Sequence, residues 1–170
     1  SRNARKNQML GSGDVPYTIP AEIVYPKYFH KKGALAAARQ GDDINPERAS
    51  SGAQFYLVQG KFFTDAQLDT LEMKRKTKYV QQLFDKNWEV LSKNLSEKKI
   101  KLNNLQIAHL RDSLLTDAEK KVEVEKKFTF NPEQRLSYKT IGGTPHLDGE
   151  YTVFGEVIKG LDIVSNISVV

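Results

Sequence analysis

The pattern of apolar and polar positions changes period along this chain, and each change marks a boundary. His30-Lys-Lys-Gly-Ala-Leu-Ala-Ala-Ala-Arg39 is a run of small and apolar residues punctuated by Gly33. Ser50-Ser-Gly-Ala-Gln-Phe-Tyr-Leu-Val58 alternates short polar residues with aromatic and β-branched ones. Strands are expected over Ala34 to Ala38 and Gln54 to Val58, with Gln40 to Arg48 as a loop between them. Gly149-Glu-Tyr-Thr-Val-Phe-Gly155 repeats the alternation far downstream and reads as another strand. Ahead of these, Met9 to Asp14 is a glycine-punctuated loop. Pro16, Pro20 and Pro26 keep the following stretch out of helix, so Tyr17 to Ile19 and Ala21 to Tyr25 are short extended pieces at most.

Between the strands the period becomes helical. Thr64-Asp-Ala-Gln67 forms a capping box, and Leu68, Leu71, Val80, Phe84, Trp88, Leu91 and Leu95 then recur mostly three or four residues apart. An amphipathic helix with a buried stripe is expected, with Trp88 as packing. A second helix is expected to carry Leu102, Leu105, Ala108 and Leu115. Thr116-Asp-Ala-Glu119, another capping box, predicts the start of a shorter element. Asn131-Pro-Glu-Gln134 supplies an N-cap followed by proline at the first helical position, and Gly142 and Gly143 end that helix.

Composition narrows the functional classes. The chain has 170 residues, 39% hydrophobic and 28% charged, enough for one good core in a soluble globular protein. No apolar run approaches a membrane span, and the first residues lack the apolar middle of a signal peptide. Cysteine is absent, which excludes disulfides, thiol nucleophiles and Cys-based zinc sites. The net charge of +5 is spread out: residues 65–131 carry 14 Lys and Arg against 11 Asp and Glu, and the rest carries 12 against 10. Interleaved signs favour a solvated surface over a nucleic-acid-binding stripe. Asp43, Asn45 and Glu47 alternate like a calcium loop but lack its glycine and its later glutamate, so a plain polar loop is expected. Gly11-Ser-Gly13 is no nucleophile elbow, and no serine pairs with His30, His109 or His146 at a recognisable spacing, which argues against a hydrolase.

Gly33-Ala-Leu-Ala-Ala-Ala-Arg39, Ser50-Ser-Gly-Ala-Gln-Phe-Tyr56 and Thr144-Pro-His-Leu-Asp-Gly-Glu-Tyr-Thr-Val-Phe-Gly155, in this order, resemble the cyclophilins, the peptidyl-prolyl cis-trans isomerases. The resemblance covers Gly11 to Phe63 and Thr140 to Ile167 and is to bacterial members with helical insertions. It implies a mainly β fold: a cyclophilin-like antiparallel β-barrel, incomplete in this chain, formed by 1–63 and 132–170, with an inserted α-helical subdomain at 64–131. It also implies a substrate groove. Gln54 matches the glutamine that hydrogen-bonds the substrate. Tyr56 falls where Phe usually walls the proline pocket, so its hydroxyl needs a partner. Leu147 matches the pocket leucine, Tyr151 stands where many members have His, and His146 occupies a variable position that is Trp in some. Ala38, Arg39 and Gln40 match the stretch that contacts substrate backbone, and Gly11 is expected beside the groove.

The chemistry implied is rotation about X-Pro bonds, whose barrier is about 18–20 kcal/mol. A catalyst of it needs an apolar pocket for the ring, anchors for the flanking backbone and a donor to the proline nitrogen as it pyramidalises. No nucleophile, metal or cofactor is required. The expected partners are proline-containing segments of protein clients, with no nucleic acid. The family's catalytic arginine lies in a Phe-His-Arg motif that does not occur in this sequence, and it is expected upstream of Ser1. Arg39 is a weak substitute. Two other classes are a non-catalytic proline-peptide-binding or scaffold module and a nucleic-acid-binding protein using the basic helices. Resemblance to exported members points to an extracytoplasmic location.

Overall fold

The computed structural model describes residues 15–125 and 128–167. Contacts divide the chain into two units, one built from residues up to Asp65 together with those from Pro132 onward, the other from Ala66–Asn131.

In the first unit, β2 (Ala34–Ala37) lies at the centre of a three-stranded antiparallel sheet in the order β4-β2-β5, with β4 at Phe55–Leu57 and β5 at Val153–Glu156. The small side chains of β2 let its neighbours close over it, and Ala34 and Ala36 are fully buried. The register pairs Ala36 with Tyr56 across β4 and with Val153 across β5, with an irregularity between Leu35 and Ala36. A second sheet is only the pair β1 (Thr18–Ile19) and β3 (Ser50–Ser51). The expected Ala21 to Tyr25 extended piece forms no strand. After β4 come α3 (Pro132–Thr140), a single 3-10 turn (Pro145–Leu147), β5 and α4 (Leu161–Ile167). Proline opens α3 as expected, and Gly142 at φ +88° ends it.

Among the described residues the expected mainly β fold, an antiparallel barrel incomplete in this chain, is not present. Of the described residues 49% are helical and 12% are in strands, and no sheet closes. Closure of a barrel needs a ring of tilted strands whose inner faces are all buried. Here β4 and β5 are both sheet edges. Phe55 and Leu57, on the face of β4 away from the Tyr56 side chain, stand 63% and 41% exposed. The strands are also short, none above four residues.

The core of this unit gathers around Tyr138, whose ring meets Phe29 and Phe63 edge-on at centroid distances of 5.7 and 6.2 Å. Each such pair contributes about 0.5–1.5 kcal/mol beyond burial. Beside it the backbone of Gly143 bridges both Lys31 and Lys61.

The second unit contains α1 (Asp65–Glu97) and α2 (Asn104–Glu125). Along α1 the inward positions include Leu68, Leu71, Val80, Phe84, Trp88, Leu91 and Leu95, the periodic set expected. Phe84 and Trp88 stack in parallel, and the Arg111 guanidinium of α2 lies 5.4 and 5.1 Å from their centroids. The expected stripe of α2 is corrected. Leu105 and Leu115 are exposed, and Ile107, Leu110, Leu114, Ala118 and Val122 point inward instead. Leucines occur on both faces of this helix, so periodicity alone could not select the phase. The helix also runs through Thr116 without a break, because Ala118 and Val122 continue the buried stripe. Its true cap lies earlier: Asn103 accepts from the Gln106 amide at 2.9 Å, and Gln106 accepts from the Asn103 amide at 3.0 Å.

A β-carbon on Gly143 would lie 2.3 Å from the His30 carbonyl oxygen and 2.6 Å from the Tyr138 ring, whereas one on Gly155 would meet nothing closer than 3.5 Å. Gly143→Ala is therefore expected to cost about 2–3 kcal/mol in urea unfolding. Gly155→Ala is expected to stay within about 0.5 kcal/mol.

Candidate functional site

Tyr56 projects from β4 onto the face shared with Ala36, a face that small residues leave low. Its ring lies parallel to the His30 imidazole at 6.1 Å and edge-on to Tyr151 at 6.0 Å, and Tyr151 is also edge-on to His30 at 6.4 Å. The Arg39 guanidinium also packs on Tyr151, 4.7 Å from the ring centroid. Tyr56, Tyr151 and Arg39 are thus brought into one aromatic and cationic cluster.

Beneath it is a buried polar chain. The Asp148 carboxylate accepts from the His30 backbone N–H at 2.8 Å and lies 3.1 Å from His30 Nδ1. Its other oxygen accepts from the Tyr138 hydroxyl at 2.6 Å. His30 Nε2 is 3.1 Å from the Tyr56 hydroxyl. His30 and Asp148 are each 1% exposed. A buried carboxylate is tolerated only when hydrogen bonds replace its water, as they do here. Burial, with smaller contributions from Tyr151 and Asp148 and against a pull from Arg39, pushes the Tyr56 phenol far above its ordinary range, so the group remains a protonated donor.

Arg39 and Arg48 share two carboxylates. Arg39 pairs with Asp42 at 2.7 Å and with Glu150 at 3.6 Å, and its Nε donates to the Glu150 carbonyl at 2.8 Å. Arg48 reaches the same two carboxylates at 3.3 and 3.1 Å. Burial, the largest single influence, raises the Asp42 carboxyl, but the hydrogen bonds and charges of Arg39 and Arg48 together outweigh it and hold the group below its ordinary value. The Arg39 side chain is 5% exposed. It is committed to clamping the 40s loop onto residues 149–150, which disfavours its use as a donor to substrate.

The other expected residues are placed as follows. Ala38 donates its amide to the Gln54 carbonyl at 2.9 Å, so those two are backbone neighbours, and the Gln40 carbonyl accepts from Arg39 at 2.9 Å. Gln54 and Gln40 are exposed. His146 and half-buried Leu147 stand on the 3-10 turn directly before Asp148. Partial burial and the positive potential of His30 and Lys61 lower the His146 imidazole below its ordinary value, opposed by Asp148. Two hollows of this unit, of about 420 and 560 Å³, lie elsewhere, along Tyr28, Val153 and Phe154, and none of the expected site residues lines either. Gly11 falls outside the described residues.

Sequence reasoning missed His30, Asp148 and Tyr138. One signal pointed toward them: a half-buried tyrosine hydroxyl needs a partner, as was expected for Tyr56, and His30 Nε2 lies 3.1 Å from it. Asp148 directly follows Leu147 in the motif already noted, and only its burial reveals its role.

A family model for the cyclophilin type peptidyl-prolyl cis-trans isomerase/CLD matches residues 127–170. The match takes in His146, Leu147, Asp148 and Tyr151 but stops short of the stretch from Ala38 to Tyr56. No curated protein and no solved structure matches the chain. No described helix is long and apolar enough to cross a membrane.

The lowered His146 value means that the unfolded chain binds its proton more readily than the folded one. The contribution of this histidine to stability is therefore complete above the ordinary histidine value and is lost as pH falls below it. Unfolding midpoints in urea compared at about pH 7.5 and about pH 5.5 are expected to drop less in His146→Gln than in the wild type.

Proposed function

We propose that the aromatic face carrying Tyr56 and Tyr151 binds proline-containing segments of proteins, and that the protein accelerates rotation about their X-Pro bonds. The observation that carries this reading is the match of residues 127–170 to the cyclophilin-type isomerase family, taken with the approach of Tyr151 in that segment to Tyr56 outside it, at 6.0 Å. In this reading Tyr56, Leu147 and Tyr151 form the walls against a proline ring, and Gln54 with the backbone of residues 38–40 anchors the flanking chain. His146 borders the groove from the 3-10 turn. Residues 64–131 are a helical insertion between the two parts of the isomerase domain. The fall in barrier would come from an apolar environment for the twisting imide and a donor to its nitrogen.

That donor is proposed to be an arginine supplied from outside this sequence, as in the family's Phe-His-Arg motif. The full engagement of Arg39 favours a second reading for the chain by itself: binding of proline peptides without catalysis.

A blocked Ala-Ala-Pro-Ala peptide titrated into the isotope-labelled chain is expected to shift the signals of Gln54, Tyr56, Leu147 and Tyr151 saturably. Magnetisation exchange between the cis and trans peptide signals is expected to quicken when a segment bearing the arginine motif is added. Saturable binding with no acceleration after the addition leaves only the binding module, and absence of binding sinks both readings.

A further inference from the structure

We propose that His30, held by Asp148, is a positioning residue for Tyr56 and sets the direction in which the Tyr56 hydroxyl points at the wall of the proline site. The inference rests on the proline-peptide reading above and adds to it a pair of residues that the resemblance does not assign.

The direction follows from donor and acceptor accounting. An ionised carboxylate only accepts, so the His30 nitrogen 3.1 Å from Asp148 carries the proton. In the neutral ring the other nitrogen then offers a lone pair, and the Tyr56 hydroxyl 3.1 Å away donates to it. The phenol proton is thereby satisfied against a residue that is 1% exposed. The near-parallel rings, 15° apart, and the edge contacts of Tyr151 with both leave Tyr56 little freedom to turn away.

Protonation of His30 reverses this bond. Both ring nitrogens become donors, Nε2–H donates to the Tyr56 oxygen, and the phenol proton must point elsewhere, toward the groove. A hydroxyl donor without an acceptor beside an apolar proline ring is unfavourable, so peptide binding weakens on acidification. The titratable groups that face His30 are Tyr56 on β4, Asp148 and His146 at the 3-10 turn, Tyr151 before β5, and Tyr138 of α3 through Asp148. Asp148 offsets the charge of the imidazolium, and Lys61 acts on the cluster through His146.

The test is the affinity of the chain for blocked Ala-Ala-Pro-Ala across the His30 titration, with the protonation state of His30 followed by its imidazole ¹⁵N shifts. In the wild type the affinity is expected to fall about fivefold as His30 takes its second proton, the worth of one neutral hydrogen bond. In Tyr56→Phe, which keeps the ring and removes the hydroxyl, no fall should accompany that step, while any contribution from His146 persists in both proteins. An equal fall in the two proteins, or a neutral His30 carrying its proton on Nε2, overturns the proposal and leaves the proline-peptide reading standing. If neither protein binds the peptide at any pH, that reading fails and takes the proposal with it.

Discussion

The first unit depends on a single buried carboxylate. Asp148 accepts from the His30 amide, meets the His30 imidazole and accepts from Tyr138, so it joins the segment that leads into β2, the helix α3 and the turn before β5. Leaving such a charge dry and unpaired would cost several kcal/mol, so the surrounding chain is arranged to supply donors. Through Asp148 and His30 a continuous chain of short polar contacts links Tyr138 in the aromatic core to the half-buried Tyr56. Packing around Tyr138 therefore has a direct route to the orientation of Tyr56.

The legible parts of the fold were those set by local chemistry. The long stripe of α1, the proline that opens α3 and the glycine that ends it follow from periodicity and backbone preference, and the structure shows each of them. The strand segments were also visible, although their limits shifted: β5 begins at Val153, several residues after the alternation does. The small share of sheet was not legible, because a barrel, even an incomplete one, requires several strands to pair side by side, and no local pattern counts partners. Alternation in Gln54 to Val58 fits equally an edge strand with Phe55 and Leu57 facing outward. The same limit explains α2, where leucines on both faces made two phases equivalent until a packed neighbour selected one.

The site was legible as a set of ring positions and illegible as a network. Tyr56, Tyr151 and Arg39 were named from motif order, and they do meet. His30 and Asp148 are separated by 118 positions and carry no shared local signature. Buried polar pairs of this kind become visible only through the demand they satisfy, here a phenol in a largely apolar setting. The ion-pair square of Arg39, Arg48, Asp42 and Glu150 was hidden for the same reason, since each residue alone reads as solvated surface.

The chain crosses out of the first unit after Asp65 and returns at Pro132, and the two crossing points are fastened within that unit. The Phe63 amide donates to the Tyr138 carbonyl at 3.1 Å, Lys61 and Gly143 exchange backbone hydrogen bonds at 3.0 Å, and Asp65 pairs with Lys139 at 2.6 Å. Loop-closure entropy grows only slowly with the length of the intervening chain, so the cost of holding these two ends together depends little on how long the segment between them is. The crossing is built as a socket whose rim is made by the first unit's own residues.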